Sequence, residues 1–139
     1  MIRLATYGDI ARIYQIRFSV DENRLCDPSV VTDAHVAWFI DNEALWVWQD
    51  EDGVVTGFAG SDRRDGRVWA LFVAPGHEGK GIGRALLKHA CEALRAAGRA
   101  TATLTTGPGT RAERHYRADG WSVTGTSAKG DLIFQKKLE

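Results

Sequence analysis

The stretch from Trp69 to Leu87, WALFVAPGHEGKGIGRALL, constrains the fold more than any other part of the chain. It opens with largely apolar residues from Trp69 to Pro75, long enough for a buried strand and too short for a typical helix. Glycines follow at alternate positions, Gly79, Gly81 and Gly83, and then apolar residues at helical spacing: Ile82, Leu86, Ala90, Ala93, Leu94 and Ala97. The pattern predicts a strand feeding a glycine loop that opens a helix. The first turn of such a helix leaves backbone N–H groups unpaired at the positive end of the macrodipole. Glycines keep side chains away from those donors, so the loop reads as a cradle for phosphate.

Two familiar nucleotide loops fail against this spacing. A Walker loop needs Gly-Lys followed by Ser or Thr, and Gly79-Lys80 is followed by Gly81. A dinucleotide fingerprint needs its third glycine three residues after the second, whereas Gly83 comes two after Gly81.

The run Val73-Ala74-Pro75, then Glu78-Gly79-Lys80-Gly81-Ile82-Gly83 and Ala85-Leu86-Leu87, resembles the acetyl-CoA-binding motif of the GNAT family of N-acetyltransferases. That motif is Gln or Arg, two residues, Gly, one residue, then Gly or Ala. Gly81 and Gly83 match it. Glu78 stands where the family has Gln or Arg, and a carboxylate repels a pyrophosphate. Glu78 is therefore expected either to point away or to leave the binding to backbone amides.

The remaining pattern fits the same family. Ile2 to Leu4 reads as a short strand, and Thr6 with Asp9 starts a helix over about residues 7–19. Val20 to Pro28 is expected to be a loop, and Thr32 or Asp33 caps a second helix ending about Asn42. Ala44 to Gln49 and Val54 to Ser61 flank Asp52-Gly53, a hairpin signal, and Asp65-Gly66 makes a like turn before a strand from Arg67 to Val73. A helix over about residues 81–97 stops at Gly98, and Arg99 to Thr106 alternates as a fifth strand, parallel to the fourth. Thr110 and Glu113 form a capping box for a short helix that Gly120 closes, and Trp121 to Thr126 and Leu132 to Leu138 form a last hairpin. The order β-α-α-β-β-β-α-β-α-β-β is that of the GNAT acyl-CoA N-acyltransferase fold. It is an α/β fold with a mixed, mostly antiparallel sheet whose parallel strands 4 and 5 splay apart.

Length and charge bound the partners. At 139 residues the chain is expected to be one domain spanning residues 1–139. Formal charge is +0, so no global field holds the protein on nucleic acid or an anionic membrane, and any anion site must be local. No apolar run reaches a membrane-spanning length and the N-terminus has no signal-peptide core, which points to the cytoplasm. Cys26 and Cys91 fit no CxxC spacing; no metal is expected, and Cys91 reads as core packing. A homodimer remains open, since the last hairpin offers strands that can pair.

The resemblance implies acetyl-CoA as co-substrate. Its pantetheine arm then runs along the fourth strand on main-chain groups of Leu71, Phe72 and Val73. Its phosphates meet the loop residues Glu78, Gly79, Lys80, Gly81, Ile82, Gly83 and Arg84. Lys80, Arg84 and Lys88 share one helical face, and Arg111, Arg114 and Arg117 make a similar stripe; each basic stripe reads either as phosphate partners or as a solvated face. Ala112 to Trp121, AERHYRADGW, resembles the family's Ala, three residues, Tyr, three residues, Gly, aromatic. By that match Tyr116 is the general acid that protonates the leaving thiolate. A phenol near pKa 10 remains protonated at neutral pH and can supply that proton.

An attacking amine must also lose a proton, and the fourth and fifth strands carry no carboxylate. Glu22, in the loop where the family forms its acceptor site, is the first choice of base, followed by Asp27, Asp62 and His115. Three carboxylates in that loop favour a cationic acceptor: a small amine, an amino sugar or a lysine. Trp38, Trp46, Trp48 and Trp69 offer either core packing or cation–π walls. Direct attack of the amine asks less of these residues than acetyl transfer through Cys26, which has only Arg24 beside it. Two rival readings stay open: an acyl-CoA-binding domain without turnover, and a nucleotide-phosphate enzyme.

Overall fold

The computed structural model describes residues 1–19 and 33–138. Among these residues seven strands form one sheet in the order β1-β2-β3-β4-β5-β7-β6. They are β1 (Ile2–Leu4), β2 (Leu45–Gln49), β3 (Val55–Asp62), β4 (Arg67–Val73), β5 (Thr101–Thr106), β6 (Ser122–Thr126) and β7 (Leu132–Lys137). Among the described residues four α-helices pack on it: α1 (Ile10–Ser19), α2 (Asp33–Asp41), α3 (Ile82–Ala96) and α4 (Arg111–Ala118). All neighbouring strands are antiparallel except β4 and β5, the pair predicted to be parallel.

Both faces of the sheet are covered, which explains why β2 is apolar at successive positions. Leu45 and Val47 pack with Ile13, Ile16, Val36 and Phe39 of α1 and α2. Trp46, between them in sequence, turns to the other face and packs with Ile82, Leu86 and Ala90 of α3. A third cluster joins α3 to β5, β7 and α4 through Leu87, Leu94, Leu104, Tyr116, Trp121 and Phe134. Gly57 of β3 lets α3 approach closely: a Cβ there would lie 3.1 Å from Ile82, Leu86 and the Phe72 carbonyl oxygen alike. That seat fixes where the N-terminus of α3 points.

Two element starts differ from the sequence-based expectation. The helix expected from residue 7 begins as a 3-10 turn at Tyr7–Asp9, and α1 proper starts at Ile10. The Asp9 carboxylate accepts from the Thr6 N–H at 2.8 Å and is forked by Arg3 at 2.8 and 3.0 Å, so it ties β1 to the helix start. The strand expected from Arg99 starts at Thr101, because Arg99 instead donates Nε to the Arg63 carbonyl at 2.9 Å. Within the last hairpin, β7 rather than β6 sits beside β5, with six aligned pairs from Thr101↔Lys137 to Thr106↔Leu132. The cause is Phe134, which is fully buried in the inner strand, whereas β6 carries only Val123 as a large apolar residue and has a bulge.

Candidate active site

The cleft grows out of the seam between β4 and β5. These strands pair only at Arg67↔Thr103, so beyond Arg67 the edge of β4 turned away from β3 has no ladder partner on β5. A bulge helps the separation: Gly60 pairs with Ala70 and Ser61 with Val68, so Trp69 is skipped. Past the bulge Leu71 and Val73 pack toward α3 and Phe72 toward α1. A cavity of about 610 Å³ opens there, lined by Leu71, Phe72 and Val73, by the loop that follows β4, and by α4. Phe72 has the buried guanidinium of Arg17 4.9 Å from its ring centre.

The loop brings the start of α3 to the same cavity. Gly79 and Gly81 have φ of 79° and 83°, the left-handed region that side chains resist. A Cβ at either would meet nothing within 4 Å, so backbone conformation, not space, demands glycine. Gly81 is the N-cap of α3 and no side chain caps the first turn, where the first intrahelical bond runs from Ala85 N–H to Gly81 O at 3.0 Å. The amides of Ile82, Gly83 and Arg84 are therefore left to a ligand or water. Gly79, Gly81, Gly83 and Arg84 line the cavity. Ile82 is itself buried against the sheet and offers only its N–H, and Lys80 is exposed outside the lining. Glu78 lines the cavity as well, but its Oε2 accepts from the Gly76 N–H at 2.8 Å, so the carboxylate is turned onto its own loop.

The opposite wall is α4. Thr110 Oγ1 accepts from the Glu113 N–H at 3.1 Å, as its capping role requires. The reciprocal bond differs from a standard capping box, because Glu113 reaches the Gly109 N–H at 2.8 Å rather than that of Thr110. That amide and Arg117 hold the Glu113 carboxyl below its ordinary range. So of the basic stripe on α4, Arg117 is engaged by Glu113 at 2.9 Å, while Arg111 lines the cavity. Tyr116 is 6% exposed, lines the cavity, and packs its ring 5.9 Å from Trp121 and 5.8 Å from Phe134. Burial pushes its phenol well above 10, with Cys91 adding in the same direction. The hydroxyl therefore stays protonated at neutral pH, and the same upward shift makes it a weaker proton donor than a free phenol.

The candidate bases separate clearly. Glu22 and Asp27 lie outside the described residues, as does Cys26. Asp62 is not in the cleft: it is buried at the far end of β4, opposite Arg67, and Arg64 binds both its oxygens at 2.9 and 2.8 Å. Arg64 first, and its own N–H next, hold the Asp62 carboxyl below its ordinary range, so it is a structural anion and a weak base. His115 does line the cavity next to Tyr116. His77 lines it too and went unnoticed in the sequence; its place inside the glycine loop was the available signal. None of Trp38, Trp46, Trp48 and Trp69 lines the cleft: Trp46 packs on His89 of α3, Trp69 stacks on Phe39 at 4.2 Å, and Arg64 covers Trp38 at 3.7 Å. Among the described residues no group of His, Cys, Asp and Glu is arranged to hold a metal. No helix among them is long and apolar enough to cross a membrane.

Known proteins share this fold and part of this sequence. The sequence model of the Acetyltransferase (GNAT) family matches residues 8–121. Over 83 residues the chain is 36% identical to the L-methionine sulfoximine/L-methionine sulfone acetyltransferase of Salmonella typhimurium, covering 52% of this chain and 48% of that one. Among solved structures, yncA from Salmonella typhimurium with its cofactor acetyl-CoA superposes with a TM-score of 0.73 at 25% identity, over 100% of this chain and 94% of the other. N-acetylglutamate synthase from Neisseria gonorrhoeae, complexed with coenzyme A and N-acetyl-glutamate, gives 0.82 at 17% identity, over 100% of this chain and 35% of that one; this likeness speaks for the fold alone. The chain thus spans about half the length of the curated relative and a third of the synthase. With the family's sequence model running from Gly8, just before α1, to Trp121, just after α4, the chain belongs to the GNAT family of acetyltransferases.

Proposed function

We propose that the chain moves an acetyl group from acetyl-CoA to a primary amine by direct attack, with Tyr116 as general acid. One observation carries this reading: a single cleft joins an unpaired strand edge, an uncapped helix N-terminus and a buried tyrosine. The residues fit the co-substrate. The edge of Leu71 to Val73 offers peptide-like hydrogen bonds to the amides of pantetheine. The amides of Gly79 through Arg84, with the guanidinium of Arg84, suit a pyrophosphate. Glu78 is tolerated because its carboxylate is held by Gly76 and the binding donors are backbone.

Bound there, acetyl-CoA supplies a thioester carbonyl as electrophile. The protein orients it along β4, excludes water with Leu71, Phe72 and Val73, and presents the Tyr116 hydroxyl. A C–N bond forms from the amine to the carbonyl carbon and the C–S bond breaks. The Tyr116 Oη gives its proton to the departing sulfur and is reprotonated from solvent. The amine proton leaves to a base: Glu22 as first choice, with His115 as the candidate that stands in the cleft. The acceptor we favour is a small α-amino acid or related amine, by the name of the relative that is 36% identical.

The test is release of free CoA from acetyl-CoA with a panel of amino acids, amino sugars, polyamines and lysine peptides. Turnover with at least one amine supports the proposal. Tight CoA binding with no turnover on any of them would leave an acyl-CoA-binding domain, and stronger thermal stabilisation by ATP or NAD than by CoA would overturn the co-substrate.

A further inference from the structure

The glycine loop carries one side chain that acetyl transfer leaves without a task. Of the residues from Pro75 to Gly81, only His77 both lines the cleft and can become positive, since Lys80 lies outside the lining. The Ala74 carbonyl accepts from the His77 N–H at 3.1 Å, which fixes the residue in the turn that follows β4. Its imidazole is half-buried and makes no hydrogen bond or ion pair among the described residues.

The charges around this ring come from three elements. On its own loop, Glu78 stands where the family has Gln or Arg and supplies no cation; its carboxylate is held by the Gly76 N–H. Arg84 lines the cleft from α3, and Arg111, His115 and Tyr116 line it from α4. The β4 wall of Leu71, Phe72 and Val73 is apolar. In the free protein the arginines oppose a further positive charge and Glu78 favours one. An entering diphosphate, doubly negative, tips that balance toward the charged ring. Imidazole is the side-chain group whose charge change lies nearest neutral pH, so the ring can answer to the ligand there.

Resting on the acetyl-CoA reading of the cleft, we propose that His77 is a phosphate-binding residue that becomes a cation when the diphosphate is present. Cofactor binding then takes up a proton from solvent at this ring and tightens as pH falls. The protonated ring donates an N–H to a phosphate oxygen, the charge-assisted bond that position 78 lacks. No covalent bond changes. The device sets a sense of regulation, in which acidification raises cofactor occupancy.

The experiment is calorimetric titration of the full chain with dephospho-CoA across the range from about pH 6 to about pH 8, which brackets the ordinary titration of imidazole. This probe keeps the diphosphate and drops the ribose phosphate, whose own ionisation near about pH 6 would mask a protein proton. Affinity should be about three- to tenfold higher at the acid end than at the alkaline end. Heats measured in buffers of different ionisation enthalpy should show about half a proton taken up at neutral pH. His77→Gln should bind throughout as the wild type does at the alkaline end, and His77→Arg throughout at least as tightly as the wild type at the acid end. His115→Gln should keep the wild-type dependence. A flat wild-type profile, a dependence that survives in folded His77→Gln, or its loss in folded His115→Gln would each overturn the proposal. No binding of dephospho-CoA or CoA at any pH would overturn the acetyl-CoA reading itself, and this inference with it.

Discussion

The two ends of the β4–β5 seam use the same kinds of residue for opposite purposes. At the closed end, Thr103 donates to the Gly66 carbonyl at 3.0 Å, Arg64 forks Asp62 and covers Trp38, Arg63 donates to the Asn42 carbonyl at 3.1 Å, and Arg99 reaches the Arg63 carbonyl. Every one of those arginines is engaged by the protein. At the open end, Arg84 faces a cavity, and beyond Arg67 the β4 edge has no pairing on β5, while no side chain among the described residues caps the first turn of α3. Positive charge alone does not mark a binding site. What marks it is whether the surrounding backbone has already satisfied itself, and the lock at one end is what lets the strands part at the other.

The largest effect expected belongs to the open end. Tyr116→Phe keeps the ring contacts with Trp121 and Phe134 and removes only the proton donor. General acid catalysis contributes about 10²–10⁴-fold, so kcat should fall by that factor with CoA affinity unchanged, read as free thiol released against time. Full turnover by this variant would move the acid to another residue and leave the buried phenol as packing.

Next comes the seat that aims α3 at the cleft. Gly57→Val forces three atoms of β3's neighbours, all at 3.1 Å from the new Cβ, to give way, one of them a backbone oxygen. Overpacking of this kind costs roughly 1–3 kcal/mol. Urea unfolding should show that loss, and CoA affinity should drop with it because the helix N-terminus shifts. Unchanged affinity in a destabilised variant would separate the seat from the site.

The closed end should answer to pH and leave the cleft chemistry alone. Asp62→Asn removes the charge that Arg64 grips, at a cost of about 1–2 kcal/mol, discounted because the Arg64 side chain is 59% exposed. The Asp62 and Asp9 carboxyls are both held below their ordinary range, chiefly by Arg64 and Arg3 respectively. A depressed carboxyl contributes its stability in full above the unfolded pKa, about 4, and loses it as pH falls through the folded value. Acid unfolding of the wild type below about pH 4 should therefore be shallower in Asp62→Asn, with kcat at neutral pH unaltered. A steep loss of kcat would mean the lock and the cleft are one cooperative unit.

Much of this contrast was legible in the sequence, for physical reasons. The strand-glycine-helix run announces itself because left-handed backbone at Gly79 and Gly81 leaves few residues to choose from. The α4 start was readable from Thr110 because capping is local. What escaped was long-range. Nothing local says that Arg64 will cover Trp38, that Trp46 will face α3, or that β7 will lie inside β6, since these follow from which side chains the assembled sheet brings together. Glu78 lies between the two cases: its sequence position raised the question of repulsion, and only the bond to the Gly76 N–H shows where the carboxylate goes.

That residue gives the smallest and sharpest test. Glu78→Gln keeps an oxygen that can accept from Gly76, so the loop retains its shape, and removes the negative charge beside the phosphate site. A like-charge contact in water is on the order of 0.5–1 kcal/mol at such range, so CoA should bind roughly two- to fivefold tighter. The gain should shrink as salt rises, because screening acts on an exposed charge pair and not on backbone hydrogen bonds. A gain that persists at high salt would mean that Glu78 acts on the loop's geometry. No gain at all would mean that the carboxylate, held by its own backbone, is already too far from the phosphates to matter, and that the amides of α3 alone set the affinity.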